Sequence, residues 1–253
     1  MLFSRFIDKF ILSLLLETKR ETNITLIFMT KLFNFFVFSA VLSCFSCFSD
    51  GNLSSNANKK MPMSDSTFND MVRTYEDEDR VVWQKPEVIL AKMGDLNGKT
   101  VADIGAGTGY FSFRMLKNAK KVIALDIEPR FLRFIDSISL ELPMAMGDKL
   151  ETRLAEAQNT NLKPNELDAA LMVDTYMYVA NRADYLKQLY NSVNTGGKIL
   201  VVDFKKQELP FGPPFDEKLA AAEVVKELQN IGFQNIELDE LSLDYQYIIT
   251  ATK

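Results

Sequence analysis

From Thr100 onward the chain alternates short apolar runs with stretches whose apolar residues recur every three or four positions. Thr100-Val101-Ala102, Lys121 to Leu125, Asp168 to Val173 and Lys198 to Phe204 carry few polar residues between their ends, as strands covered on both faces do. Between them lie sets at helical spacing: Tyr110, Phe111, Phe113, Met115 and Leu116; Phe131, Phe134, Ile135, Ile138 and Leu142; and Tyr185, Leu186, Leu189, Tyr190 and Val193. A further strand is expected within Leu150 to Ala155, a short helix after Pro86 that ends near Gly94, and a helix from Glu217 to Ile231 stopped by Gly232. Gln234 to Leu238 and Leu243 to Ala251 predict two closing strands, the second alternating through Tyr245, Tyr247 and Ile249. Strands and helices taking turns predict an α/β fold with a Rossmann-like, doubly wound sheet.

The first 60 residues break this pattern. Apolar runs at Phe10 to Leu16 and Leu32 to Phe48 are followed by the polar tract Ser49 to Asn58. This predicts a signal, leader or membrane anchor over residues 1–48, a disordered linker over 49–66 and the folded domain over 67–253. Met29-Thr30-Lys31 supplies a basic n-region and Leu32 to Leu42 an h-region, while Val41-Leu42-Ser43-Cys44 resembles a bacterial lipobox, in which Cys44 would be lipidated. Because Met29 opens a complete leader, residues 1–28 are expected to be an artefact of an upstream start codon. A lipoprotein, an uncleaved anchor and an ordinary signal peptide all remain open. Membrane association follows from each anchored form, and a cytoplasmic place follows if the leader is not functional.

Composition narrows the chemistry. Both cysteines, Cys44 and Cys47, fall in the leader and histidine is absent, so the body has no thiol, no imidazole base and no set of metal ligands rich in either. Residues 61–253 hold 22 Lys+Arg against 30 Asp+Glu, a net charge of −8, from which no nucleic-acid partner is expected. The run Glu76-Asp77-Glu78-Asp79 is expected to be a solvated face.

The candidate site is the stretch Asp103-Ile104-Gly105-Ala106-Gly107-Thr108-Gly109, which joins the first strand to the first helical set. Glycines at alternate positions let the backbone turn sharply and a ligand lie against it. A dinucleotide loop needs its third glycine three positions after the second, and here that position is Tyr110. A carboxylate at Asp103 would repel a pyrophosphate and suits a cationic ligand. Asp126, about twenty residues beyond the loop, stands where a doubly wound sheet brings a carboxylate to a ribose diol. Its replacement by alanine is therefore expected to weaken ligand binding and leave the fold nearly unaffected. Asp174 ends another strand, and Asp103, Asp126 and Asp174 are expected along one crevice.

The loop resembles motif I of the class I S-adenosylmethionine-dependent methyltransferases. From about Phe68 on, the order of motifs is similar to the ubiquinone/menaquinone biosynthesis branch, and Trp83-Gln84-Lys85-Pro86, Val173-Asp174-Thr175-Tyr176, Val202-Asp203-Phe204-Lys205 and Gly212-Pro213-Pro214 resemble a bacterial subgroup. The resemblance implies seven strands, mostly parallel with an antiparallel last strand, and S-adenosyl-L-methionine as cofactor. The implied cofactor contacts are Asp103, Gly105, Ala106, Gly107, Gly109, Asp126, Ile127 and Asp174, with Glu156, Gln158 and Asn159 competing for the adenine amino group. An N-terminal segment with Tyr75 and Trp83 would cover the pocket. Met177-Tyr178 replaces a pair that often contains histidine, leaving Asp174, Tyr176 and Tyr178 as candidates for any acid/base step. The implied function is methyl transfer to a small-molecule or lipid-like, membrane-associated acceptor. The alternative is a non-catalytic, lipid-anchored binding protein.

Overall fold

The apolar runs become a seven-stranded sheet in the order β3-β2-β1-β4-β5-β7-β6. The strands are β1 (Thr100–Ile104), β2 (Lys121–Asp126), β3 (Leu150–Leu154), β4 (Leu167–Val173), β5 (Val193–Phe204), β6 (Gln234–Asp239) and β7 (Gln246–Thr252). Pairs from β3 through to β5 are parallel, whereas β7 is antiparallel to both β5 and β6. This is the expected mostly parallel α/β sheet, with its last strand reversed. The structure is a computed structural model and describes residues 64–253, of which 65–253 form one compact unit. The leader, the lipobox with Cys44 and nearly all of the expected linker lie outside the described residues.

The strands that read as unbroken apolar runs are the central ones. Val101, Val122, Leu171 and Val201 have no exposed surface, while the edge strands β3 and β6 are half-buried or exposed along most of their length. Strand order reverses between β1 and β4, so a crevice opens at their carboxyl ends, the place where open α/β sheets bind ligands.

The connecting helices are α4 (Tyr110–Met115), α5 (Pro129–Ser139), α6 (Met144–Gly147), α7 (Arg182–Ser192) and α8 (Ala221–Ile231). They follow α1 (Asp65–Tyr75), α2 (Arg80–Gln84) and α3 (Pro86–Met93). Lys85 adopts a left-handed φ of 49° between α2 and α3, and Pro86 opens α3 where a missing N–H costs nothing. Among the described residues no helix is long and apolar enough to cross a membrane.

Several boundaries differ from the expected ones: Val193, expected on a helix, opens β5, and α5 ends at Ser139, before Leu142. The helix expected from Glu217 begins at Ala221, after a 3-10 turn at Phe215–Glu217. Lys218 is 2% exposed and its ammonium donates to the Gln207 carbonyl at 2.9 Å, which draws the chain inward and breaks the helix. The last strand begins at Gln246 because the carbonyls of Leu243 and Asp244 accept from the Lys205 ammonium instead of joining the ladder.

Candidate active site

The loop after β1 is tied to β2 by two backbone bonds, from the Gly105 and Ala106 amides to the Leu125 carbonyl at 2.8 and 2.9 Å. The glycines serve different ends. A Cβ at Gly105 would lie 2.2 Å from Oγ1 of Thr175, on the turn after β4, so this glycine lets the ends of β1 and β4 meet. A Cβ at Gly109 would strike Phe113 at 2.8 Å. At Gly107, with φ of 54°, the Cβ position would lie 3.1 Å from the ring of Tyr75.

The strand-end aspartates are placed differently from one another. Asp103 is 3% exposed and accepts from the Ser112 hydroxyl at 2.6 Å, so it is turned into the protein beneath α4. Burial pushes its carboxyl up to about 6, against the pull of Ser112 and Arg80. Asp126 accepts the Gly107 amide at 2.8 Å on one oxygen and the Glu128 amide at 2.9 Å on the other. It thus holds the glycine loop to β2 and keeps a lone pair on each oxygen for further donors. Burial raises its pKa, opposed by those same amides.

Asp174 sits at the carboxyl end of β4 in a left-handed conformation, φ 52°. Its oxygens accept from Gln246 Nε2 at 2.6 Å and Gln84 Nε2 at 3.2 Å. Burial pushes its carboxyl up to about 6, while Arg80 and the two amides resist. Asp203, at the end of β5, is fully buried, and its carboxylate accepts the Thr175 and Met177 amides at 3.1 and 3.2 Å, fixing the turn that follows Asp174.

Of the tyrosines, Tyr176 is not placed for acid/base work. It has no exposed surface, and its phenol donates to Glu227 on α8 at 2.6 Å, beside Arg182, which bonds the same carboxylate. Burial and Glu227 hold its pKa far above the ordinary value. Tyr176→Phe is expected to lower stability by about 1.5–3 kcal/mol, the worth of one charge-assisted bond, and to leave the Kd for S-adenosylhomocysteine unchanged within about twofold. Chemical denaturation and calorimetry check the two halves. Tyr178 is 61% exposed, and burial of its remainder with the charges of Glu217, Asp174 and Asp203 raises its pKa rather than lowering it.

Ile127 is 57% exposed beside Asp126. Glu156 and Asn159 close a small backbone turn, 2.8 and 3.1 Å, in which the Glu156 side chain is exposed and Asn159 is engaged by the Asn161 amide. The Gln158 carbonyl accepts from Gln188.

The N-terminal segment brings Tyr75 over the glycine loop, stacked on Phe131 with centroids 5.6 Å apart, and close enough to Asp126 and Asp174 for their charges to help burial raise its pKa to about 12. Trp83 instead packs with Phe204 and Phe211, at 5.9 and 5.0 Å. Glu76 departs from the solvated run to which it belongs: burial pushes its carboxyl up to about 7, near Arg80 and Arg114, while Asp77 to Asp79 are exposed. Arg80 lies 4.2 Å over the Tyr110 ring and donates to the Tyr75 carbonyl and Gln84 Oε1.

The residues around this crevice resemble known proteins. The family described as "Methyltransferase domain" matches residues 102–201, from the middle of β1 to the middle of β5. Those residues match a methyltransferase domain. The domain has the fold of an S-adenosylmethionine-dependent methyltransferase from Aquifex aeolicus (TM-score 0.65, 23% identity, 71% of this chain and 95% of that one). It also has the fold of Phospholethanolamine N-methyltransferase 2 from Haemonchus contortus, solved with phosphomonomethylethanolamine and S-adenosylhomocysteine (TM-score 0.57, 15% identity, 74% of this chain and 60% of that one). Among curated proteins, the chain is 30% identical over 119 residues to a tRNA U34 carboxymethyltransferase of Shewanella sediminis and 32% identical over 114 residues to one of Campylobacter hominis. These matches take 46% and 45% of this chain but only 35% and 39% of the relatives, so the chain spans a little over a third of their length.

The relatives correct one expectation. Net charge led to the exclusion of a nucleic-acid partner, yet proteins named for action on tRNA share this domain at 30% identity. Net charge averages over the whole surface, whereas an acceptor meets only the mouth of one crevice, so a balance of −8 does not exclude such a partner. The sequence reading also missed Gln84, Gln246, Ser112 and Arg80. Gln84 stands in the quoted Trp83-Gln84-Lys85-Pro86 motif, the one signal that pointed to it.

Proposed function

We propose that this chain is a methyltransferase that uses S-adenosylmethionine and receives its acceptor over the carboxyl ends of β4 and β5. The observation that carries the reading is the glycine loop itself, bound by Asp126 on one side and met on the other by the turn that holds Asp174. When bound, the cofactor supplies a methyl group already activated on a sulfonium, so the protein has chiefly to bind, orient and exclude water. At neutral pH Asp174 is ionised and able to take a proton from an acceptor, while the phenol of Tyr178 stays protonated and able to donate a hydrogen bond.

Phe211 and Phe215, 39% and 42% exposed, lie on the loop after β5, with the Lys206 ammonium 5.6 Å from the Phe215 ring. An apolar rim with one cation suits a flat, apolar acceptor, and the leader-like residues 1–48 favour one held at a membrane. A second reading, transfer to a tRNA base, draws on the names of the curated relatives, and stacking on aromatic side chains suits an unpaired base equally. Incubation with methyl-labelled cofactor and either a membrane lipid extract or total tRNA separates them. Label in the lipid fraction supports the first reading and label in tRNA the second. Failure to label either, together with no binding of S-adenosylhomocysteine by calorimetry at millimolar ligand, overturns both.

A further inference from the structure

Asp174 is held in a way its turn does not require. Its backbone is left-handed, φ 52°, a conformation that non-glycine residues seldom adopt. Gln84 of α2 and Gln246 of β7, each without exposed surface, converge on it from 162 positions apart, and Gln84 Nε2 also bonds Gln246 Oε1 at 3.3 Å. An amide nitrogen only donates, so two of them aimed at one carboxyl favour its charged form. The other groups facing it are Arg80 from α2, Tyr75 from α1, Tyr178 from the turn after β4, Asp203 from β5 and Tyr247 from β7. Arg80 is the cation among them, and it is already engaged with the Tyr75 carbonyl, Gln84 and the face of Tyr110.

Asp126 and Asp174 end the two strands that flank β1, so they stand on opposite sides of the glycine loop, and the Tyr75 ring is near enough to feel both. A cofactor with its ribose at Asp126 would run its sulfur-bearing arm across the loop toward Asp174. We propose that the Gln84, Asp174 and Gln246 clamp presents a carboxylate to that sulfur and so distinguishes the sulfonium of S-adenosylmethionine from the neutral thioether of S-adenosylhomocysteine. The donor is held by charge and the product, having lost that charge, is released. The proposal rests on the cofactor reading above.

The two ligands differ only at the sulfur, and this makes the clamp testable without knowing the acceptor. Asp103 and Asp126 also titrate above the ordinary carboxylate range, but the parts of the ligand near them are common to both molecules, so their effects cancel in the ratio of affinities. As pH falls through about 6 Asp174 takes up a proton and the preference for the sulfonium fades; as pH rises through that value the preference grows.

Calorimetry on the full chain would give Kd for both ligands from about pH 5 to 8. The ratio of the S-adenosylhomocysteine Kd to the S-adenosylmethionine Kd is expected to rise about tenfold over this range, as one charge at close range in a partly screened site implies. Asp174→Asn should flatten the rise while still binding S-adenosylhomocysteine. Gln246→Leu, which removes one donor to the carboxylate, should move the midpoint to higher pH. A flat ratio in the parent protein, an Asp174→Asn variant that keeps the rise, or a Gln246→Leu midpoint that stays in place overturns the clamp. If Asp174→Asn does not fold, the parent ratio and the Gln246→Leu midpoint still decide. Failure of either ligand to bind at any pH overturns the cofactor reading instead.

Discussion

Gly105→Val is expected to lose both stable folding and cofactor binding. The new Cβ would fall 2.2 Å from Thr175 Oγ1 and 2.6 Å from its Cγ2, and the φ of 76° at this position is one that β-branched residues rarely adopt. No rotamer relieves this, because the Cβ position is set by the backbone and the loop is tied to Leu125 by the Gly105 and Ala106 amides. The combined strain exceeds about 4 kcal/mol, a large part of the stability of a typical domain. Thr175→Gly in the same chain removes the contacting atoms and should recover a measurable part of the loss, leaving the dihedral cost of about 1–2 kcal/mol. Urea denaturation of the single and double variants checks this. Equal stability of Gly105→Val and the parent protein would show that the β1 and β4 ends do not meet as described.

Asp126→Ala should cost affinity and stability together. Asp126 stands where a ribose diol would donate to it, and loss of that charge-assisted pair should weaken S-adenosylhomocysteine binding by about tenfold to a hundredfold. The contacts argue against the expectation from sequence that melting would barely change, because the same carboxylate accepts the buried Gly107 amide and the part-buried Glu128 amide. Leaving the buried Gly107 amide unpaired costs roughly 1–3 kcal/mol and the part-buried one less, so the melting midpoint of the ligand-free protein should fall by roughly 3–12 °C. Asp126→Asn separates the two roles: its carbonyl oxygen can still accept the Gly107 amide and restore part of the melting temperature, while the ribose loses its charged acceptor. Differential scanning calorimetry with and without ligand reads both. An alanine variant that melts like the parent would remove Asp126 as the tether of the loop.

The order of strands and helices was legible because burial on both faces leaves an unmistakable local pattern. Val122 to Leu125 and Ala169 to Val173 carry it in consecutive residues, and the alternating glycines of 105, 107 and 109 mark the turn by their own lack of side chains. Position at a strand end is also local, so Asp103, Asp126 and Asp174 were nameable from the chain alone. Element boundaries were less so: the break at Lys218 before α8 depends on a carbonyl at Gln207, and the start of β7 on an ammonium from Lys205.

Which way each aspartate faces, and what holds it, was decided by the tertiary structure. The sequence does not say which way Asp103 and Asp126 face: Ser112 turns the first into the protein and the Gly107 amide binds the second to the loop. Tyr176 and Tyr178 are two residues apart, and the Glu227 carboxylate on α8 claims the first while the second stays exposed. Glu76 is set apart from Asp77 to Asp79 by the helix turn that brings it toward Arg80 and Arg114. The amides at Asp174 come from opposite ends of the domain. A local pattern of polar and apolar residues records burial, which is a property of single positions. A hydrogen bond between Gln84 and Gln246 is a property of a pair, and only the folding of β7 back against β5, with α2 packed nearby, brings that pair within 3.3 Å.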